Sequence, residues 1–259
     1  MALMKRWLGT VRIGVVIAAV LATPAASFAQ VKVIISGGFS AAYKDLLPEF
    51  ERTSGVGVAT SSGASVGDGP NTIPGQIRRG VPADVVILSR EGLNDLIAEK
   101  RTVAGTDTDL ANSMLGLIVR AGAPRPDIST VDAFRQTLLK SKGLALTSST
   151  SGLYLTTVLF PKLGIAEEMK SKTAFTSATS VARGENEIGI RQVSELLPVA
   201  GVDFVGTLPM EIQSITTYAA AIVAGSKEIE ASKKLIAFLA SPSAAAAIKK
   251  SGMEQPKRR

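Results

Sequence analysis

The sequence predicts an α/β protein in which short apolar strands alternate with amphipathic helices. Runs rich in Val and Ile, such as residues 83–88, are followed by segments with helical spacing of apolar side chains, such as residues 92–99. In addition, 46% of the residues are hydrophobic and only 20% are charged, which is typical of a folded chain. This order predicts mostly parallel sheets with helices on both faces.

The individual elements follow from local patterns. Strands are indicated by β-branched or apolar runs that end at Gly, Ser or charged residues, and we predict them at residues 31–36, 56–60, 83–88, 115–119, 144–147, 188–191, 203–207 and 217–223. Helices are indicated by apolar periodicity, by caps such as Ser129 and by stops such as Gly55 and Pro161. We predict them at residues 41–53, 73–79, 92–99, 129–139, 153–160, 227–239 and 243–250.

The first 29 residues have the pattern of a signal peptide. Three basic residues precede an apolar run at residues 13–22, and the small residues Ser27 and Ala29 follow it. The run is about half as long as the ~20 apolar residues of a membrane span. We therefore expect cleavage before Gln30 and a soluble, periplasmic mature protein.

Composition excludes several classes of function. The chain has no His and no Cys, which excludes a Ser-His-Asp triad, a cysteine nucleophile, the usual zinc and haem sites and disulfides. The formal net charge is +7, but it comes largely from the predicted signal peptide and the last three residues, and there is no basic stripe with interleaved aromatics. We expect no metal, no cofactor, no nucleic-acid partner and a monomer.

Polar clusters follow five of the predicted strands, at the position where α/β sheets bind ligands. These clusters lie at residues 37–40, 61–65, 89–90, 148–152 and 191–192, and four of the five contain Ser or Gly. Ser and Gly are also common in loops and caps, so one such cluster would carry little weight. Five together favour a site for an anion, held by hydroxyls and by N–H groups at helix starts.

Several segments resemble the molybdate-binding-protein family of periplasmic solute receptors, which have the type II periplasmic binding fold. The most specific is residues 76–85 (QIRRGVPADV), which resembles the family pattern Q-I-x-x-G-A-P-A-D-V after G-A-S. Shorter matches lie at residues 50–56, 151–154, 187–195 and 218–223. The resemblance extends over about residues 31–252.

The resemblance implies two lobes with a ligand cleft between them and an ABC permease as partner. Lobe one would hold residues 30–119 and 219–259, and lobe two would hold residues 120–218, with chain crossings near residues 119 and 218. The ligand-binding positions that we expect are Gly38, Phe39, Ser40, Ser62, Ser65, Ser89, Arg90, Ser149, Ser151, Gly152, Tyr154, Arg191 and Gln192.

The departures from the family pattern bear on the ligand. The family's first Ser donor falls on Gly38, its Tyr donor falls on Gln192, and arginines appear at Arg90 and Arg191. A guanidinium suits a planar carboxylate, because the two groups can form parallel hydrogen bonds. We therefore expect the ligand to be a small organic di- or tricarboxylate. Binding of molybdate or tungstate is a further alternative.

An enzymatic alternative stays open, because a periplasmic aconitate isomerase is similar to this receptor family. Its reaction is a proton shift along an allylic tricarboxylate and requires a base. Without His, the candidate bases near the cleft are Asp68, Glu91, Tyr154 and Glu187, and the sequence does not choose among them.

Overall fold

Two β-sheets organise the chain. The structure is a computed structural model that describes residues 30–257, so the predicted signal peptide lies outside the described residues. The strands are β1 (Gln30–Ile35), β2 (Gly57–Ser62), β3 (Val85–Ser89), β4 (Thr108–Ser113), β5 (Leu115–Arg120), β6 (Leu144–Leu146), β7 (Thr173–Phe175), β8 (Ile188–Gln192), β9 (Val202–Thr207), β10 (Thr216–Ile222) and β11 (Met253–Glu254).

Helices cover both faces of each sheet. They are α1 (Gly37–Ser54), α2 (Ile73–Arg78), α3 (Arg90–Ala98), α4 (Val131–Lys140), α5 (Thr150–Leu153), α6 (Phe160–Lys162), α7 (Ala166–Lys170), α8 (Thr179–Ala182), α9 (Val193–Leu196), α10 (Ile229–Leu239) and α11 (Ala245–Lys250). A π-helical stretch, Tyr154–Leu159, joins α5 to α6 without a break. No helix in the described part of the chain is long and apolar enough to span a membrane.

Each sheet forms the centre of one lobe. Lobe one has the strand order β11-β4-β10-β3-β1-β2, and lobe two has the order β7-β6-β8-β5-β9. Apolar side chains are buried on both faces of each sheet. The two-lobed α/β architecture predicted from the sequence is confirmed.

The sheets are mixed, which corrects the expectation of mostly parallel strands. The pairs β1–β2, β1–β3, β6–β7 and β6–β8 are parallel, whereas every pair that includes β4, β5, β9 or β10 is antiparallel. The antiparallel strands flank the two points where the chain passes between the lobes. β4 and β5 carry the chain out of lobe one and into lobe two, and β9 and β10 carry it back. These strands therefore run antiparallel to their neighbours.

Helix α1 illustrates how the sequence pattern fixes an element that reaches the cleft. Its buried face follows 3.6-residue periodicity, and Gly55 ends it in the left-handed conformation at φ 68°. The buried side chains of this face are Phe39, Ala42, Tyr43, Leu46 and Phe50. The helix begins at Gly37, four residues before the predicted start, because Gly37 and Gly38 form its first turn directly after β1.

Three strands and three helices were not predicted. They are β4, β7, β11, α7, α8 and α9, all of six residues or fewer. The polar sequence of β4 (TDLANS) has no strand pattern, and β4 forms because β10 and β11 pair with its two edges. Tertiary pairing thus overrides local propensity at this position.

The crossings between the lobes differ slightly from the expected positions. β4 belongs to lobe one and β5 to lobe two, so the first crossing is at Met114 and residues 115–119 are part of lobe two. The return lies between β9 and β10, at residues 208–215. The sequence placed the first boundary after 115–119 because that apolar run reads as a strand without showing which sheet it joins.

Gln213 links the two crossings. Its Oε1 accepts a hydrogen bond from the Leu115 N–H at 2.7 Å, and its Nε2 donates to the carbonyls of Leu115 and Leu208 at 3.1 and 3.2 Å. One amide side chain therefore holds the outgoing and the returning strand together at the hinge.

We predict that Gln213→Ala lowers the free energy of unfolding by about 1–3 kcal/mol, because partly buried backbone groups lose their partners. Urea unfolding of the variant and of wild type measures the difference. Gln136→Ala, at a position on the outer helix α4 for which no such bond is found among residues 30–257, is the matched control. Equal midpoints for wild type and Gln213→Ala would contradict this role of Gln213.

Candidate functional site

A small cavity lies between the lobes where strand ends and helix starts meet. Its volume is about 60 Å³. Lobe one contributes the residue after β1, the start of α1, the loop after β2 and one side chain of β10. Lobe two contributes the turn after β6, the start of α5, the end of β8 and α9. The lining residues are Ser36, Gly37, Gly38, Ala64, Ser65, Thr147, Ser149, Thr150, Ser151, Gln192, Glu195 and Tyr218.

Two helix N-termini reach this cavity from opposite lobes. α1, with 18 residues, begins at Gly37, and its N-cap Ser36 makes no capping bond. The buried Ser36 Oγ has no hydrogen-bond partner within residues 30–257. The helical segment that begins at Thr150 likewise follows an N-cap, Ser149, that makes no capping bond. Free first-turn N–H groups and the helix dipole make such positions favourable for an anion.

Hydroxyl groups connect the lobes across one rim of the cavity. The Ser65 N–H donates to Ser149 Oγ at 3.3 Å, and Thr150 Oγ1 donates to Ser89 Oγ at 3.3 Å. Ser65 Oγ in turn accepts from the Ser89 N–H at 3.0 Å. The predicted residues Ser65, Ser89 and Ser149 are therefore brought together, and their hydrogen bonds hold the cleft in a closed form.

Tyr218 occupies the space that a side chain at position 38 would need. A Cβ atom on Gly38 would lie 1.8 Å from the Tyr218 hydroxyl, so the phenol of β10 reaches the cavity only because residue 38 is Gly. Burial raises the pKa of Tyr218 well above its usual value, and the negative charge of Glu195 adds to this effect. The hydroxyl consequently stays neutral and available as a donor.

Glu195 brings a carboxyl group into the cavity from lobe two. A Cβ atom on Gly37 would lie 2.8 Å from its Oε1, which places the carboxyl beside the start of α1. Burial raises the pKa of Glu195, and the charge of Arg191 together with a backbone hydrogen bond from Gln192 opposes part of that rise. A partly buried carboxyl thus lies among groups that otherwise suit an anion.

Arg191 lies at the carboxyl edge of the lobe-two sheet, one residue before the end of β8. Its guanidinium donates through Nη2 to the carbonyls of Leu146, at 3.4 Å, and Thr176. Its Nε is buried without a partner within residues 30–257, and burial lowers the pKa of Arg191. The side chain is not among those lining the cavity but provides a positive charge close to Glu195.

Arg90 does not reach the cavity, which corrects its expected role as a ligand-binding residue. Its Nε donates to Asp109 at 2.8 Å, and its Nη1 donates to Asp107 at 2.7 Å. Asp109 is part of β4, whose formation was not predicted, and Asp107 directly precedes that strand. The ion pairs hold the guanidinium against lobe one and away from the cavity lining.

Four further residues that we expected to bind the ligand lie outside the cavity lining. Three of them pack or form hydrogen bonds elsewhere in the structure, and one is exposed to solvent. Phe39 is fully buried in the core of lobe one, and the Ser40 hydroxyl donates to the Ser36 carbonyl at 3.0 Å within α1. Ser62 is exposed at the end of β2. The Tyr154 hydroxyl donates to the Ile212 carbonyl at 3.0 Å and so links the π-helical stretch to the returning crossing.

The remaining expected positions are close to the cavity. Gly38, Ser65, Ser149, Ser151 and Gln192 line it, and Gly152 allows the tight turn behind it. A Cβ atom on Gly152 would lie 1.6 Å from the Thr147 carbonyl oxygen. Gln192 donates from Nε2 to Thr216 Oγ1 at 2.7 Å, while its Oε1 has no partner in the described part of the chain.

The candidate bases named from the sequence are not in the cavity lining either. Asp68 forms an ion pair with Arg78, and Glu187 accepts a hydrogen bond from the Lys142 N–H at 2.7 Å. Glu91 is exposed on α3. Sequence reasoning missed Glu195 and Tyr218 as lining residues, although both belong to segments that resemble the family patterns.

Within residues 30–257 no group of three or more Asp and Glu side chains is arranged to hold a metal ion. The cavity instead offers hydroxyl and N–H donors, one phenol and one carboxyl. Such an arrangement can bind a small anion and can exchange a proton with it.

We predict that Gly38→Ala lowers the free energy of unfolding by about 1–3 kcal/mol, because overpacking against the buried Tyr218 ring strains lobe one. Gly37→Ala is the matched control. The atom that its Cβ meets is the end of the flexible Glu195 side chain, which can move aside. Thermal and urea unfolding of both ligand-free variants tests this difference, and equal losses for the two variants would contradict it.

Comparison with known proteins places this architecture in a family. Residues 31–254 match the family model for bacterial extracellular solute-binding proteins. An aconitate isomerase from a Pseudomonas species is 38% identical over 226 residues, which cover 86% of each chain. The molybdate-binding protein ModA of Escherichia coli K12 is 25% identical over 265 residues, covering 96% of this chain and 98% of that one.

Solved structures give the same fold. The periplasmic molybdate-binding protein of Azotobacter vinelandii superimposes with a TM-score of 0.71 at 18% identity, covering 88% of this chain and all of that one. The family match and the lobed architecture agree with the resemblance seen in the sequence. The chain belongs to the bacterial extracellular solute-binding proteins.

Proposed function

We propose that this protein binds aconitate in the cavity between its lobes and shifts a proton along it, interconverting the cis and trans isomers. The observation that carries the proposal is the carboxyl group of Glu195 inside a cavity built from anion-binding groups. The 38% identity to an aconitate isomerase, with equal coverage of both chains, supports it.

A carboxyl at this position argues for chemistry over simple binding. An ionised carboxylate repels a bound anion, and burial makes that repulsion stronger. An ionised carboxylate weakens the binding of an anion to a receptor, whereas a proton shift requires a base next to the substrate. The presence of Glu195 is therefore better explained by turnover.

The rest of the cavity suits the negative charge of a carboxylate substrate. The N-termini of α1 and of the segment that begins at Thr150 face each other across the cleft. Arg191 supplies a nearby positive charge, and the Tyr218 hydroxyl is a neutral donor. Removing a proton from aconitate spreads negative charge onto a carboxylate, and preorganised donors of this kind stabilise that charge.

The second candidate is a receptor that delivers a small di- or tricarboxylate to an ABC transporter. Membership of the solute-binding family favours it, and so do the hydrogen bonds that join Ser65 to Ser149 and Ser89 to Thr150 across the cleft. Such contacts couple ligand binding to lobe closure, which is how two-lobed receptors signal occupancy. Periplasmic location and the predicted signal peptide are part of both proposals.

We predict that the purified mature chain, residues 30–259, converts cis-aconitate and trans-aconitate to the same final mixture from either side. Proton NMR of the vinyl and methylene signals follows the conversion. Saturable binding of both isomers without conversion would contradict the isomerase and favour the receptor. The absence of binding to any di- or tricarboxylate would contradict both.

We also predict that tricarballylate or an aconitate raises the unfolding temperature of the protein while millimolar molybdate does not. A ligand at 100 times its Kd stabilises a protein by roughly 2.7 kcal/mol, which shifts the midpoint by several degrees. We expect no effect of molybdate for two reasons. Position 38 is a Gly, with the Tyr218 phenol in the space that a side chain there would need, and a carboxyl group lines the cavity. Micromolar, saturable molybdate binding would overturn this expectation.

A further inference from the structure

Glu195 differs from the other acidic residues of the chain in its surroundings. It is the one Asp or Glu among the residues that line the cavity between the lobes. α9 carries it, and that helix starts directly after β8, at the carboxyl edge of the lobe-two sheet. The side chain crosses the cleft to Gly37 of lobe one, where a Cβ atom would lie 2.8 Å from Oε1.

The charged and titratable groups around Glu195 are few. Arg191, on β8, supplies a positive charge that favours the ionised carboxyl, and Tyr218, on β10, presents its hydroxyl from lobe one. The start of α1 adds the positive end of a helix dipole. Burial acts in the opposite direction and raises the pKa of Glu195.

Opposing influences therefore act on the protonation of this carboxyl. Burial disfavours the ionised form, while Arg191 and the Gln192 N–H keep that form within reach. A group that both accepts and returns a proton works best when its pKa is close to the working pH. Tyr218 cannot share this task readily, because burial keeps its hydroxyl protonated.

We propose that Glu195 is the catalytic residue that removes the proton from bound aconitate and returns it, with the Tyr218 hydroxyl donating to the negative charge that develops. This assignment rests on the proposed isomerase function. It names a residue that lies inside the cavity in place of Asp68, Glu91, Tyr154 and Glu187, which lie outside its lining.

The proton shift balances without any further reactant. The Glu195 carboxylate takes a proton from the methylene carbon of the substrate, and the C–H electron pair forms a new double bond to the central carbon. The electron pair of the former double bond moves onto the adjacent carboxylate. The electron pair then returns from that carboxylate to the former alkene carbon and forms a C–H bond with the proton of Glu195, which restores the Glu195 carboxylate and leaves the double bond on the other side of the central carbon.

The test compares three proteins made as the full mature chain: wild type, Glu195→Gln and Glu49→Gln. Glu49 is an exposed residue of α1 outside the cavity, so its variant makes the same chemical change without touching the site. Each protein is titrated calorimetrically with tricarballylate, which has no double bond to move, and is then assayed with cis-aconitate by proton NMR.

We expect Glu195→Gln to lower kcat by at least about 100-fold, the usual contribution of a general base. Its affinity for tricarballylate should stay equal or increase, because a negative charge next to the anion is removed. Glu49→Gln should match wild type in both measurements. Retained tricarballylate binding shows that the Glu195→Gln site is folded, so loss of turnover in that variant reports on chemistry.

The outcomes separate the two proposals. Turnover of Glu195→Gln within tenfold of wild type would overturn the role of Glu195 and leave the isomerase standing. Wild type that binds tricarballylate but does not convert aconitate would overturn the isomerase, and the catalytic role of Glu195 with it.

The dependence of kcat/KM on pH is a second test, because it would not change in the expected way if Glu195 had only a structural role. If the Glu195 carboxylate is the base, kcat/KM of wild type falls as the pH falls through the pKa of this group. Because Arg191 lowers that pKa, Arg191→Met should shift the acidic limb to higher pH. A limb that stays in place, or moves to lower pH, would contradict proton removal by Glu195.

Discussion

The missing side chain at residue 38 is the constraint on which the cavity depends. α1 begins directly after β1, so its first turn lies against β10, and only Gly leaves room there for the Tyr218 ring. The ring in turn presents a neutral donor close to Glu195. A Ser at position 38, as in the family pattern, would have to displace the Tyr218 hydroxyl.

Charge balance in the cleft follows from that arrangement. Burial raises the pKa of Glu195, while the charge of Arg191 and a backbone hydrogen bond from Gln192 oppose part of that rise. Arg191 is itself partly buried, and its bonds to the Leu146 and Thr176 carbonyls fix it at the ends of β6 and β7. Lobe two therefore supplies a carboxyl and its counter-charge from adjacent elements, while lobe one supplies the donors that face them.

The sequence predicted the parts of this structure that are encoded locally. Apolar β-branched runs identified β1, β3 and β8, and the spacing of apolar residues identified the buried face of α1. It did not predict β4, because that strand depends on its neighbours β10 and β11. The error at Arg90 has the same origin, since its partners Asp107 and Asp109 are placed by that strand.

The position of Glu195 could not be read from its neighbours in the sequence either. A Glu in a four-residue helix gives no local sign of burial. The Glu195 carboxyl lies next to Gly37 of the other lobe, a contact that its neighbours in the sequence do not indicate. Strand-end reasoning selected Arg191 and Gln192 as expected ligand-binding positions and did not extend to Glu195, which lies three residues after Gln192. Contacts between lobes are set by the hinge geometry, which depends on where Met114 and residues 208–215 pass between the sheets.

The hinge also bears on the position of the Glu195 carboxyl on α9. The Val193 N–H donates to the Met114 carbonyl at 2.8 Å in the first crossing, and Gln192 Nε2 donates to Thr216 Oγ1 at 2.7 Å, directly after the return crossing, so the start of α9 is held next to both. When lobes rotate about such crossings, displacement grows with distance from the hinge. We therefore expect lobe opening to separate Ser149 from Ser65 more than it separates Glu195 from the start of α1.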